Sequence, residues 1–232
     1  MMSTEQLLAL IGFVTVMTAT PGPNNLMLIA SGANAGFRRS LPHIFGIAIG
    51  CQVILVCVAL GLGQLLSQFP QAITLLRVGG ATYLLYLSWQ LVRSTALHDG
   101  TAQAQPFTFF QAALFQWVNP KAWMMILTGV ATFTDPADFS VSVAIVAGAF
   151  LLIGLPLISS WSLFGALLKQ WLKEGKRLKL FNRTMALLLV ASLVPTFGLQ
   201  ANEADSQLPA AAQPDETMTV PVQREPWWQS VM

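Results

Sequence analysis

The chain has 232 residues, 54% of them hydrophobic and 9% charged, with a formal net charge of +2. Soluble domains carry about 25% charge, so this composition excludes a soluble globule, and it holds no basic block of the kind that binds nucleic acid. Uncharged runs long enough to cross a bilayer, about 20 residues each, recur along the chain, which makes it an all-α, polytopic membrane protein.

Six spans are expected. The first runs from Thr4 to Asn34. It lacks a basic start and is too long for a signal-peptide core, so it is read as an uncleaved span. Its middle holds Thr20-Pro21-Gly22-Pro23-Asn24-Asn25. Proline removes a backbone donor and clashes with the preceding turn, so helix one should be broken there. The second span runs from Leu41 to Leu66. Gly46 and Gly50 give it a face suited to close helix contact. Cys51 and Cys57 lie six apart on it, which turns them about 120° from each other on a helix and pairs them in neither a disulfide nor a metal site. The third span runs from Ala72 to Val92, with Arg77 expected to snorkel toward water. The fourth covers Phe107 to Phe133 and is interrupted by Asn119-Pro120-Lys121. The fifth, Val141 to Leu168, contains Pro156 and should kink. The sixth covers Leu180 to Leu199. Residues 200–232 hold five acidic residues, one arginine and four prolines, the composition of a disordered tail. Trp227 and Trp228 could touch the outer interface.

Nine basic residues follow the odd-numbered spans: Arg38, Arg39, Arg93, Lys169, Lys173, Lys176, Arg177, Lys179 and Arg183. None follows spans two and four. Cytoplasmic connections carry the lysine and arginine excess, so both termini are expected outside. Lys169–Lys179, with Trp171 and Leu172, is expected to lie along the inner surface against anionic headgroups.

The two breaks are related by an offset of 97. Phe13, Pro23, Met27, Ile29 and Gly32 match Phe110, Pro120, Met124, Ile126 and Gly129. Three spans per half make the second half inverted, so residues 1–199 read as two inverted three-helix repeats, about 4–93 and 107–199, with helices one and four broken. Paired interruptions in inverted halves point to a transporter site near the midplane. A half-helix restarting at Pro23 has proline where its missing donor costs nothing. The N–H groups of Asn24, Asn25 and Leu26, and of Lys121, Ala122 and Trp123, are then expected open, with Asn119 as a cap. Such half-helix ends suit a carboxylate. The candidate substrate-binding residues are Pro21, Gly22, Pro23, Asn24, Asn25, Asn119, Pro120 and Lys121.

Lys121 is the charged residue near the centre of a span, a costly position and a functional candidate. No Asp or Glu falls between Glu5 and Asp99, nor within any later span. This argues for a neutral or zwitterionic substrate and removes the usual proton-coupling carboxylate. Besides the loop residue His98, His43 is the residue that titrates near neutral pH, and it is the coupling candidate beside its plainer reading as a helix-end residue.

Together these motifs resemble the LysE/RhtB family of bacterial amino-acid exporters. Thr20-Pro21-Gly22-Pro23-Asn24-Asn25, Gly36-Phe37-Arg38, Gly79-Gly80-Ala81-Thr82-Tyr83-Leu84 and Asn119-Pro120-Lys121 carry the resemblance, over about residues 5–199. The chain looks nearer the exporters of homoserine, threonine, cysteine or O-acetylserine than those of lysine and arginine. The resemblance implies a secondary transporter of the inner membrane, driven by the proton gradient. It implies no enzyme activity, cofactor or metal. The partners expected are a small amino acid, protons and the lipid bilayer; a homo-oligomer stays open. The long tail departs from the family's short ending. Two rivals also stay open: a passive channel, and a membrane thiol-redox or assembly protein. The redox rival would need a cysteine beside a break, and Cys51 and Cys57 are far from both in sequence.

Overall fold

In the computed structural model, residues 2–93, 106–173 and 175–194 are described. They belong to one unit, Met1–Thr196. His98, the end of the sixth span, the tail at 200–232 with Trp227 and Trp228, and the side chain of Arg77 lie outside the described residues.

Among the described residues the elements are helices: α1 (Thr4–Ala19), α2 (Pro23–Ala35), α3 (Phe37–Ala59), α4 (Leu62–Ser67), α5 (Pro70–Arg93), α6 (Phe109–Val118), α7 (Pro120–Phe133), α8 (Phe139–Leu152), α9 (Gly154–Leu168) and α10 (Gly175–Ala191), with a 3₁₀ turn at Trp171–Lys173. Phe37–Ala59 and Phe139–Leu168 are each long and apolar enough to cross a membrane, and α1 with α2 qualifies as a pair bent by 57°. The first span is thus broken between Ala19 and Pro23, and the fourth run is broken at Asn119. Both first half-helices start on capping boxes, Ser3 with Gln6 and Thr108 with Gln111.

Several boundaries differ from the sequence reading. The second helix starts at Phe37 and carries Pro42 within it. It ends at Ala59, and Gly61, at φ 101°, turns the chain into the separate α4. A positive φ is cheap for glycine alone, so the apolar run to Leu66 is not one helix. In the fifth span the break falls at Ile153, three residues before Pro156. Proline at 156 has no N–H for the Leu152 carbonyl and crowds it, so the interruption appears one turn upstream. The sixth helix begins at Gly175, so most of the basic stretch is its first turns. Leu172 does not lie along the membrane surface. It is fully buried with Ala33 and Leu178, because an apolar side chain gains more from packing than from the headgroup zone. Trp171 stays exposed, with the Arg177 guanidinium 5.1 Å from its ring centroid.

Polar side chains are buried and large apolar ones exposed, the reverse of a soluble protein. Asn25, Asn34, His43, Gln116, Asn119 and Asn182 are inside, while Leu8, Leu75, Leu114, Leu152 and Leu187 face outward. Glycines let helices meet backbone to backbone. A Cβ on Gly32 of α2 would collide with the Ser162 carbonyl of α9, and one on Gly165 with the Ile29 carbonyl. Gly46 and Gly50 of α3 meet the α6 backbone at Phe109 and Ala113 in the same way. Gly80 of α5 abuts the Val118 carbonyl. These seams join the first half of the chain to the second and hold the two breaks against each other.

Candidate functional site

At the first break, Pro21 cannot extend α1 and Pro23 takes the first position of α2. The last carbonyls of α1 therefore need outside partners. Asn25 supplies them: its Nδ2 donates to the Thr18 carbonyl at 2.9 Å and to the Thr20 carbonyl at 3.0 Å. At the second break Asn119 ends α6 and caps α7. Its Oδ1 accepts from the Lys121 N–H at 3.2 Å, and its carbonyl accepts from Ala122 and Trp123 at 3.1 and 3.3 Å.

The expectation of six open donors is therefore corrected for four of them. Lys121, Ala122 and Trp123 are satisfied by Asn119, and the Leu26 N–H donates to the Gly22 carbonyl at 3.0 Å. The cap residue's carbonyl already takes the first intrahelical bond, which the donor count overlooked. The Asn24 and Asn25 N–H groups stand ahead of that first bond in α2.

The breaks also hold each other. Lys121 Nζ donates to the Thr20 carbonyl at 2.5 Å, placing a cation at the negative end of α1. The lysine stem lies over Gly22: a Cβ there would come within 2.8 Å of Lys121 Cδ. The φ of Gly22 is −163°, extended backbone that any residue adopts. What the site uses is the missing side chain. Asn24 and Gln116 exchange amide hydrogen bonds, Nδ2 to Oε1 at 2.8 Å and Nε2 to Oδ1 at 3.2 Å. Gln116 Oε1 also accepts from Asn119 Nδ2 at 3.3 Å, and its Nε2 donates to the Ala112 carbonyl at 2.8 Å.

Between the breaks is a cavity of about 60 Å³, several times the roughly 10–15 Å³ that one water needs. Gly22, Pro23, Asn24, Asn25, Asn119 and Lys121 line it, with Met17, Thr18, Gln52, Met125, Phe150 and Leu155 among their neighbours. Six of the eight substrate-binding candidates thus meet around one space. Pro21 and Pro120 shape the breaks and stand outside that lining. His43 does not join it. It is buried on α3, four residues before the lining residue Ile47, and shares a 2.9 Å hydrogen bond with Ser31 Oγ.

Two corrections concern what sequence distance concealed. Cys51, remote from both breaks in sequence, lines the cavity, with Sγ 3.8 Å from Gln116 Oε1. The position of the cysteines therefore does not separate a transporter from a redox protein. Gln116, fully buried between the breaks, was missed. Its signal was present: it is a second amide inside the apolar run Phe109–Val118, whose other amide, Gln111, is used in the helix cap. Chemically, the cavity offers one ammonium group, several neutral amides, apolar walls and no carboxylate among the described residues. That set pairs with a small molecule carrying its own carboxylate.

The family model for the LysE type translocator matches residues 15–198. The cysteine/O-acetylserine efflux protein of Escherichia coli (strain K12) is 32% identical over 198 residues, covering 84% of this chain and 99% of that protein. Its counterpart in Shigella sonnei (strain Ss046) is equally similar. That of Shigella flexneri is 32% identical over 187 residues, covering 79% of this chain and 93% of the relative. No solved structure matches the chain.

Proposed function

Because this chain belongs to the LysE translocator family, we propose that it is a secondary transporter of the bacterial inner membrane that exports small neutral amino acids. The substrate class is that of its relatives, cysteine and O-acetylserine, with homoserine and threonine next. The observation that carries this reading is the cavity between the two breaks, where Lys121 and the start of α2 meet. The substrate carboxylate sits beside Lys121 and the Asn24 and Asn25 N–H groups, at the positive end of the half-helix. Asn24, Gln116 and Asn119 take its polar end, and Met125, Phe150 and Leu155 its side chain. No carboxylate is buried among the described residues, which disfavours cationic substrates.

The architecture is six spans in two inverted three-helix repeats, with both termini outside, and the site lies where the broken helices face each other. Export is driven by the proton gradient. His43 is the coupling residue of this reading, since no Asp or Glu falls between Glu5, in the first turn of α1, and Asp99, nor within any later span.

Everted vesicles test the proposal. They should accumulate labelled O-acetylserine or cysteine when a proton gradient is imposed, and not without it. Lys121→Met keeps the length and removes the charge. Loss of a charge-assisted contact, roughly 1.5–3 kcal/mol, should lower apparent affinity about ten- to a hundredfold at unchanged membrane abundance. Wild-type affinity in Lys121→Met would remove the carboxylate assignment, and uptake that never exceeds equilibrium would make the protein a channel.

A further inference from the structure

A second cavity shares two of its helices, α2 and α3, with the first. It is bordered by Ser31 and Asn34 of α2, His43 of α3, Gln90 of α5 and Phe107. On α2, Ser31 is seven residues beyond Asn24, about 10 Å along the axis. On α3, His43 is one turn before Ile47 of the central cavity. Past the second cavity α2 ends at Ala35, and the first turn of α3 carries Arg38 and Arg39, on the basic side of the protein. The two spaces are therefore stacked along one path, central and inner.

The inner cavity is built for hydrogen bonding. Ser31 and His43 are joined through Oγ and Nδ1 at 2.9 Å, which turns the imidazole. Phe107 packs on its ring at a centroid distance of 5.0 Å. Asn34 is pinned by the Ala30 carbonyl at 2.8 Å and by Asn182 of α10 at 3.3 Å. His43 is 1% exposed, yet its Nε2 has no hydrogen-bond partner among the described residues. A buried polar atom without a partner costs free energy and is uncommon. None of the described lining side chains is charged, so the space suits a molecule that is neutral overall but rich in donors and acceptors.

We propose that this inner cavity is a second binding station for the exported amino acid, with His43, Ser31 and Gln90 as its polar contacts, occupied from the basic side before the molecule reaches the cavity between the breaks. The station rests on the export reading for the identity of its ligand. Its neutral lining takes a zwitterion without a fixed counter-charge, so it holds the molecule more weakly than the central site. Lys121 makes no contact with it.

Thiol protection distinguishes the two stations. Cys51 reports the central cavity in a Cys57→Ser chain, and Ser31→Cys reports the inner one in a Cys51→Ser, Cys57→Ser chain. Everted vesicles of each are treated with N-ethylmaleimide over a series of O-acetylserine concentrations. O-acetylserine should slow modification at both cysteines, with a higher half-protecting concentration at Ser31→Cys. Adding Lys121→Met should raise that concentration about tenfold at Cys51 and leave it unchanged at Ser31→Cys. Absence of protection at Ser31→Cys overturns the station. So does protection of both cysteines at one shared concentration that moves with Lys121→Met. Protection at Cys51 alone leaves the export reading standing, and protection at neither removes both. If Lys121→Met shifts neither, the lysine assignment falls while separate protection at Ser31→Cys still supports the station.

Discussion

Lys121 and Gly22 act as one unit. The lysine reaches across to the Thr20 carbonyl only because nothing projects from Gly22. Gly22→Ala should fold, since its backbone is extended, but its methyl would displace the lysine stem. The substitution should therefore lower substrate affinity in the same direction as Lys121→Met. The double variant should lose no more than the worse single one, a coupling of about 0.5–3 kcal/mol in a double-mutant cycle of binding measurements. Additive losses would show that the two residues act separately. At this scale the sequence was legible where chain chemistry leaves one outcome. Pro23 at a first helical position and Asn119 as a cap are such cases. It was illegible where the outcome depends on a partner from elsewhere. The Asn24–Gln116 pair joins residues 92 apart, and no local pattern on α2 announces Gln116.

The breaks at Pro23 and Asn119 read well as helix boundaries, and the other helix ends read poorly. Polar residues marked approximate limits, but Gly61 and Pro156 set the real ones through backbone geometry. The Gly46 and Gly50 face was readable as a contact surface, though not that α6 would fill it. The adjacent glycines of α5 separate packing from propensity. A Cβ on Gly80 would collide with the Val118 carbonyl, whereas one on Gly79 would meet Val118 Cγ1 at an ordinary 3.9 Å. Gly80→Ala should lower the melting temperature of the purified protein, because two backbones must separate. Gly79→Ala should leave it unchanged or raise it, since glycine within a helix costs roughly 0.5–1 kcal/mol relative to alanine. Equal effects from the two would contradict the α5–α6 contact.

At the scale of the whole molecule, membrane class and family were legible because composition and the broken-helix motifs survive without coordinates. Orientation rests on charge alone and is open to a direct test. In a cysteine-free background, Ala137→Cys, an exposed position after α7, should react with an impermeant thiol reagent from outside intact cells. Lys179→Cys, exposed near the start of α10, should react only after the cells are opened. The reverse pattern would invert the topology. The glycine seams bear on how such a protein changes over generations. Where α2 meets α9, each backbone presses on the other at Gly32 and Gly165, so neither position can drift alone. An alanine at one requires the opposing helix to move, and that movement would shift Ile29 and, two residues on, Ser31 of the inner cavity. Lineages that alter their cargo are thus confined to side chains lining the spaces, while the seams that set the spacing stay frozen.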